Sequence, residues 1–337
     1  MSRGSKTMRQ INMVFRFNHP TCGRWFGSLS FGFLFLLLGG PLAQADDFVY
    51  VSNTGAGTIT RIDPGGNTSP FASGLTGPEG LAFDDAGNLF VANSGSGTIA
   101  NINSLGTVST FVSGLNGPAA LTFDPGGNLY AASPGDQTIL KISSGGNSSV
   151  FATGMAFDGD DAYLAADQAG NIYANTTHSV ERFDSNGDRS TVTSGFNFFE
   201  GMAIDGGGNL YRAIQNAGSV GGTGSLLTST PDYPAPYNND LFSAAFEDAP
   251  CDLAFDATGN LYATFSQMVY DGSDGTLVRV QDALVEFGVN GDNRVVATDI
   301  GGTYIAVQSV PVQSVPEPGI WTLASALAAV LYLRRRL

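Results

Sequence analysis

The sequence predicts an all-β protein, a six-bladed β-propeller, and three observations point to this fold class. A segment of about 40 residues recurs along the chain, which is the length of one propeller blade. Five copies contain a turn of the form Asp, two residues, Gly-Asn, placed between two short apolar runs. Finally, 45 glycines and only 13% charged residues in a chain of 337 are typical of a β protein with many turns.

The repeat is visible as residues that recur at a constant spacing. Three Thr-Ile pairs and three phenylalanines do so: Thr58-Ile59, Thr98-Ile99, Thr138-Ile139, Phe71, Phe111 and Phe151. The turn motif begins at Asp84, Asp124, Asp167, Asp205 and Asp256. Apolar runs of strand length lie on both sides of the first of these turns, and Asp followed by a flexible Gly favours a tight hairpin. Two further strand-like runs, 99–102 and 108–112, complete a four-stranded blade.

The two ends of the repeat region are predicted to combine into one blade. Residues 48–53 correspond to residues 88–93, so the first unit starts at its second strand. A blade without its inner strand would expose a sheet edge. Residues 304–307 follow Gly301-Gly302 as an inner strand would, and they supply the missing piece. This strand closes the ring and brings the number of blades to six, whereas two separate sandwich domains would leave the constant spacing unexplained.

One stretch of the repeat carries a family resemblance. Residues 77–93, Gly-Pro-Glu-Gly-Leu-Ala-Phe-Asp-Asp-Ala-Gly-Asn-Leu-Phe-Val-Ala-Asn, resemble the NHL repeat, and shorter matches occur at residues 117–118, 200–205 and 249–256. The resemblance implies a six-bladed propeller over residues 46–310. The fourth unit departs from the pattern, because it lacks Gly-Pro and has a longer segment between Gly154 and Asp167.

The composition argues against two classes of protein. A chain with 23 Phe and 11 Tyr carries far more aromatic surface than a disordered polar chain. The formal net charge of −15 argues against a nucleic-acid partner, because phosphates are bound by clustered Lys and Arg. We therefore expect a folded protein with no nucleic-acid partner.

Residues 1–45 are predicted to be a secretory signal peptide. Five basic residues precede the apolar run 31–38, and they are Arg3, Lys6, Arg9, Arg16 and Arg24. The small residues Ala43 and Ala45 then form a cleavage site. The apolar run is shorter than the roughly 20 residues of a transmembrane anchor, which is the alternative interpretation. We expect the Sec translocon and signal peptidase as partners, and Asp46 as the first residue of the mature chain.

The other end, residues 311–337, reads as a linker followed by a sorting signal. It contains Val315-Pro316-Glu317-Pro318, a short apolar segment at 320–333 and Arg334-Arg335-Arg336. These three parts, in this order, resemble the PEP-CTERM sorting signal. The resemblance implies a short transmembrane helix, cleavage near Pro316 to Pro318 by an exosortase-like transpeptidase, and delivery from the inner membrane to the surface or extracellular matrix of a Gram-negative bacterium. A C-terminal tail anchor is the alternative, because apolar segments with basic ends also anchor proteins.

Polar residues in two sets of loops are candidates for a ligand or metal site. Glu79, Glu200 and Asp252 stand at aligned positions in the loops between blades, although the third blade has Ala119 there. Carboxylates that converge near the channel axis would hold Ca²⁺ or Mg²⁺ through oxygen ligands. Asn53, Asn93 and His178 occupy the loops between second and third strands on the same face. The alternative for all of them is a solvated polar side chain in a turn.

The sequence shows no set of residues for catalysis. His178 is the only histidine and Cys251 the only cysteine after signal removal, so no triad can be assembled from the motifs. The loops near residues 215–224 and 266–282 and the Pro- and Tyr-rich segment 231–237 are long enough to bind a ligand. We therefore predict a surface or matrix module that binds a polysaccharide, such as an exopolysaccharide, or a matrix protein, or serves a structural role. The alternative is a metal-dependent enzyme at the channel mouth, because the propeller resembles gluconolactonase-type hydrolases and streptogramin lyases.

Overall fold

In the computed structural model of the protein, the described residues are 46–157, 162–194, 199–215, 224–229, 239–246, 250–271, 277–288 and 293–310. Within them, side chains are described for residues 47–157, 162–194, 201–213, 251–265, 282–288 and 294–309. The chain divides into two units, Met1–Gln44 and Ala45–Leu337, and every described residue belongs to the second. The predicted signal peptide with Ala43 and Ala45, the sorting signal and the predicted ligand-binding segment 231–237 lie outside the described residues.

The described residues form six four-stranded antiparallel sheets, which we number as blades 1 to 6. Blade 1 contains β1 (Asp46–Asn53), β2 (Thr58–Ile62), β3 (Thr68–Ser73) and the last strand, β24 (Tyr304–Val310). Blade 2 contains β4 (Pro78–Phe83), β5 (Leu89–Asn93), β6 (Thr98–Ile102) and β7 (Val108–Ser113). Blade 3 contains β8 (Ala120–Phe123), β9 (Leu129–Ser133), β10 (Thr138–Ile142) and β11 (Ser148–Thr153).

The second half of the chain repeats this arrangement. Blade 4 contains β12 (Leu164–Ala166), β13 (Ile172–Asn175), β14 (Ser179–Phe183) and β15 (Arg189–Ser194). Blade 5 contains β16 (Phe199–Ile204), β17 (Leu210–Gln215), β18 (Gly224–Ser229) and β19 (Asn239–Phe246). Blade 6 contains β20 (Pro250–Phe255), β21 (Leu261–Asp271), β22 (Leu277–Phe287) and β23 (Asn293–Ala297). The prediction of an all-β propeller is confirmed. No helix in the described part of the chain is long and apolar enough to cross a membrane.

The repeated Asp-Gly-Asn turn joins the first two strands of a blade by side-chain hydrogen bonds. In blade 3, Asp124 Oδ1 accepts the backbone N–H of Asn128 at 2.9 Å, and Asp124 Oδ2 accepts the Asn128 amide at 2.8 Å. Gly127 has φ +76°, a conformation that L side chains rarely adopt. The hydroxyl of Tyr130 donates to the same carboxylate at 3.2 Å. The predicted hairpin is confirmed, and its Asp and Asn side chains hold the turn together.

Aromatic side chains fill the space within and between blades. Tyr50 of β1 lies edge-on to Phe71 of β3, with ring centroids 4.8 Å apart, and also to Phe83 of the next blade at 5.0 Å. Phe90 repeats both contacts one blade later, with Phe111 at 5.0 Å and Phe123 at 5.2 Å. Such edge-to-face pairs stabilise beyond the apolar area that they bury. The recurrence of phenylalanine at a constant spacing is therefore explained by packing inside each blade, where Phe71, Phe111 and Phe151 lie against an aromatic ring of the second strand.

The inner strands line a common channel. Contacts run from β24 to β4, β8, β12, β16 and β20, and from β20 back to β24. Residues from all six strands line a cavity of about 330 Å³, and many of these residues are small, among them Gly80, Ala82, Ala120 and Ala203. Small residues are required here because a Cβ on Gly80 would meet the Ala119 carbonyl oxygen at 2.5 Å. The channel is thus narrow because neighbouring backbones approach closely.

The first and last strands of the described chain pair with each other. β24 runs antiparallel to β1, with Val49 opposite Val307 and Val51 opposite Ile305. Tyr304, Ile305 and Ala306 are buried. β24 is therefore the inner strand of blade 1, at the place where the repeat pattern predicted a missing piece.

Candidate functional site

Glu79 is buried near the start of β4 and contacts its own blade. Its side chain is 8% exposed, and its Oε1 lies 2.6 Å from the Ser94 hydroxyl. That hydroxyl is also 3.0 Å from the carbonyl oxygen of Gly77. Ser94 begins the short 3₁₀ turn, Ser94–Ser96, that connects β5 to β6. The Glu79 carboxylate therefore fixes this turn against the start of the inner strand.

Asp252 does not share the position of Glu79 and Glu200, so this part of the sequence prediction is wrong. Asp252 pairs with Thr264 in its blade, as Gly201 pairs with Ala213 and Ala120 with Ala132. Asp252 therefore stands one residue further along its strand than Glu79, and Cys251 takes the position of Glu79. Glu79 contacts the Ser94 hydroxyl of its own blade, whereas Asp252 lines the channel.

Asp252 lines the channel and joins two inner strands. Its Oδ2 accepts the backbone N–H of Ile305 in β24 at 3.0 Å, and its Oδ1 accepts the N–H of Leu253 at 2.9 Å. Burial raises the pKa of the Asp252 carboxyl to about 7, and the two backbone hydrogen bonds only partly offset this effect. The carboxyl is thus a connection between blade 6 and the last strand, and its charge changes near neutral pH.

Two tyrosines lie beside Asp252 in the channel wall. The Tyr163 hydroxyl donates to the Cys251 carbonyl oxygen at 3.2 Å, and its ring centroid lies 6.1 Å from that of Tyr304. Both tyrosines are buried. No sequence pattern predicts this contact, because the two rings come from parts of the chain that are far apart. Together they fill space at the Asp252 end of the channel.

The other candidate residues belong to separate hairpins. Asn53 donates from its amide to the hydroxyls of Thr58 and Thr60 at 3.1 and 3.0 Å, and Asn93 donates to Thr98 at 3.4 Å. These bonds stabilise the β1–β2 and β5–β6 connections. His178 is exposed in the turn before β14, in a third blade. The structure therefore places these three residues in blades 1, 2 and 4.

The described residues contain no cluster that matches the predicted cation site. Among them, no group of three or more His, Cys, Asp or Glu side chains is placed to hold a metal ion. Glu79 and Asp252 each accept hydrogen bonds from protein groups. The backbone of Glu200 lies in β16, but its side chain is outside the described residues. Glu79 and Asp252, the described members of the predicted cation site, thus stabilise the fold.

Arg212 is a buried charged residue that the sequence reasoning missed. It is 2% exposed, and its Nη1 donates to the Thr193 hydroxyl at 3.3 Å. Burial lowers the pKa of its guanidinium to about 10. The equivalent positions in blades 2 and 3 are the apolar Val91 and Ala131. Comparison of the repeats position by position would have found Arg212, because a charged residue interrupts a buried apolar column.

A second carboxyl, half-buried, lies where β1 meets β24. Asp47 stands opposite Ser309 in this pair. Burial raises the pKa of the Asp47 carboxyl to about 6; a hydrogen bond with Ser309 opposes this effect, and the nearby Asp256 and Glu286 add to it. The Asp47 and Asp252 carboxyls therefore both adjoin the last strand, one on each side.

We expect Glu79→Ala to lower the free energy of unfolding by about 1–3 kcal/mol, because the Ser94 hydroxyl loses a buried charged acceptor. Thermal melts with and without Ca²⁺ or Mg²⁺ measure the effect. Asp136→Ala is the control, since Asp136 accepts only an exposed hydrogen bond from Asn116. A stabilisation by Ca²⁺ that Glu79→Ala abolishes would contradict the scaffold role and restore the cation site.

Comparisons with known proteins agree with the architecture. No protein-family model matches the chain, and no curated protein matches it. A protein of unknown function from Bacteroides caccae is 18% identical, with a TM-score of 0.53 over 78% of this chain and 99% of that one. A gluconolactonase from Xanthomonas campestris is 14% identical, with a TM-score of 0.51 over 73% and 92%.

A third solved structure is similar over a comparable length. Virginiamycin B lyase from Staphylococcus aureus is 12% identical, with a TM-score of 0.46 over 78% of this chain and 92% of that chain. At identities this low a structural likeness reports on the fold and not on the chemistry. What the chain shares with the Bacteroides protein and the gluconolactonase is the β-propeller fold.

Proposed function

We propose that the protein is an exported propeller that serves as a binding or structural module at the cell surface or in the extracellular matrix. One observation carries this proposal: Glu79 and Asp252, the two described carboxylates of the predicted cation site, are engaged inside the scaffold. Glu79 holds the Ser94 turn, and Asp252 joins β20 to β24. Groups committed to the fold in this way favour a rigid platform over a reaction at the channel.

The proposed platform is one closed ring of six NHL-like blades. The succession of contacts among inner strands and the pairing of β1 with β24 support this arrangement. In a propeller, loops from all blades meet on shared faces, where a long polymer can contact several of them at once. We therefore propose a polysaccharide or a matrix protein as the ligand.

Export and sorting form the second part of the proposal. The basic and apolar segments before Ala45 support passage through the Sec translocon and cleavage by signal peptidase. The Val-Pro-Glu-Pro motif at 315–318, the apolar segment after it and the terminal arginines support processing by an exosortase-like enzyme. Both ends would then be targeting signals, and residues 46–310 would be the functional part of the protein.

Binding is tested with the exported protein and the exopolysaccharide of the producing bacterium. We expect saturable retention of the protein on the immobilised polymer, or on matrix proteins from the same source. Bovine serum albumin, another acidic protein, controls for nonspecific adsorption. A parallel screen of lactone hydrolysis with added Ca²⁺ or Mg²⁺ tests the metal-dependent lactonase- or lyase-like alternative. Turnover at the channel mouth, together with no retention on any matrix component, would overturn the proposal.

A further inference from the structure

The outer strands of the blades are sheet edges, and they are protected unequally. Native proteins block an edge with proline or charge, because its unpaired N–H and C=O groups can pair with another strand. β3 carries Pro70 in its middle. In β15, Arg189 lies 3.2 Å from Glu181, and in β23, Arg294 lies 2.6 Å from Glu286. β7 and β11 contain neither proline nor a charged residue.

These two unprotected edges border a part of the molecule that is poor in charge. Residues 86–123 contain no Asp, Glu, Lys or Arg, and residues 124–157 contain only Asp124, Asp136 and Lys141. We call residues 86–157 the charge-poor flank. The exposed large hydrophobic side chains of the described residues all belong to it: Leu105 is 88% exposed, Val150 59% and Val108 37%. The flank thus differs from the acidic remainder of the protein in charge and in exposed apolar surface.

The middle of β7, the outer strand of blade 2, has a backbone N–H that can bond to an added strand. Thr110 stands opposite Ala100, as Pro70 stands opposite Thr60 in blade 1. Proline has no N–H, so the hydrogen-bond ladder does not require one at this position. Thr110 is exposed and does have an N–H. That N–H is therefore available to a strand that adds to the edge of blade 2.

We propose that two copies of the protein associate through the charge-poor flank, with their β7 edges paired antiparallel about a two-fold axis. An open strand edge is satisfied by extended backbone, and a second copy brings an identical strand that carries no charge. A two-fold axis places the same surface of each copy against the other. The acidic remainder of each copy repels other acidic surfaces. The charge-poor flank is therefore the place where two copies can approach, and it is also where Leu105 and Val150 gain apolar contacts.

Sedimentation velocity of the exported, processed protein tests the proposal, over concentrations from low micromolar to submillimolar. We expect a reversible dimer whose dissociation constant decreases as sodium chloride is raised. Salt screens the repulsion between the acidic remainders, whereas pairing of uncharged strands does not depend on it. A monomer at every concentration in high salt would overturn the proposal.

Substitutions locate the interface. Thr110→Pro removes the edge N–H with a residue that blade 1 already accepts, and we expect the dimer to weaken by about tenfold or more. Thr110→Ala keeps the N–H and should leave the affinity unchanged. Leu105→Glu should weaken the dimer by a similar factor, because it adds charge to the flank. Asn186→Glu is its control, because Asn186 and Leu105 occupy equivalent positions in their turns. The Leu105 N–H donates to the Asn103 side chain, and the Asn186 N–H donates to the Asp184 side chain.

Circular dichroism shows whether each variant is folded. If Thr110→Pro does not fold, Leu105→Glu decides the question, because Leu105 is exposed and its replacement leaves the core intact. An unchanged dimer in a folded Thr110→Pro or in Leu105→Glu would overturn the proposal. So would equal weakening by Asn186→Glu.

Discussion

The free energy of unfolding of the propeller is expected to fall as the pH rises from about 4 to about 8. The ordinary pKa of an aspartate is 3.8, and burial raises that of Asp252 to about 7. Between these values the folded state binds a proton that the unfolded state has released. The stabilisation is therefore complete below the unfolded pKa and is lost as the pH passes through about 7. At about 1.4 kcal/mol for each pKa unit, the loss reaches about 4 kcal/mol at most.

The decline in stability with rising pH is expected only above about pH 4, because other carboxyls have the opposite effect at lower pH. Despite its burial, hydrogen bonds from Asn128 lower the pKa of Asp124, and bonds from Ser179 and Arg189 lower that of Glu181. Such groups stabilise the fold above their unfolded pKa, and this contribution is lost as the pH falls further. We therefore expect the greatest stability near pH 4 to 5.

Urea unfolding at a series of pH values measures this profile. Asp252→Asn cannot titrate, so its stability should decline less between pH 4 and 8 than that of the natural protein. Asp47→Asn should remove a smaller part of the decline, because the pKa of Asp47 is raised only to about 6. A stability that increases steadily up to pH 8 in the natural protein would contradict the raised pKa values of these two carboxyls.

Removal of the last strand is expected to prevent cooperative folding. A chain of residues 46–302 lacks β24, which pairs with β1 and contacts β4 and β20. The buried side chains of β24 include Tyr304 and Ile305, and full burial of a large apolar side chain contributes about 1.5–3 kcal/mol. Loss of these side chains and of one hydrogen-bond ladder approaches the total stability of a domain, which is about 5–15 kcal/mol.

A chain of residues 46–310 is the matched control, because it differs only by the retention of β24 and the short segment before it. We expect this chain to melt cooperatively by near-ultraviolet circular dichroism, and the shorter chain to lack the transition or to melt far lower. Equal melting temperatures would mean that β24 does not hold the first and last blades together.

Local features of this fold could be predicted from the sequence because the same pattern occurs in several repeats. The Asp-Gly-Asn turn recurs in most blades, so its meaning did not depend on any single copy. The role of residues 304–307 also followed from the repeat, since the first blade lacked one strand. Both predictions rested on short-range pattern, which a sequence displays directly.

The candidate site was harder to predict because its contacts cross the ring. The sequence pattern suggests that Asp252 is level with Glu79, but the strand pairing places Asp252 one residue further along, where its neighbours are different. The contacts of Asp47 with Ser309 and of Tyr163 with Cys251 join residues far apart in the sequence, so they form only in the folded protein. Burial, which sets the pKa values of both aspartates, is likewise a property of the assembled blades.

We propose that residues 46–310 are the functional part of an exported protein whose two ends are removed after they have directed its export and sorting. Intact-mass spectrometry of the protein recovered from outside the cells that produce it tests this proposal. We expect a single chain that begins at Asp46 and ends close to Pro316. A chain recovered with residues 1–45 or with the terminal arginines 334–336 still attached would contradict it.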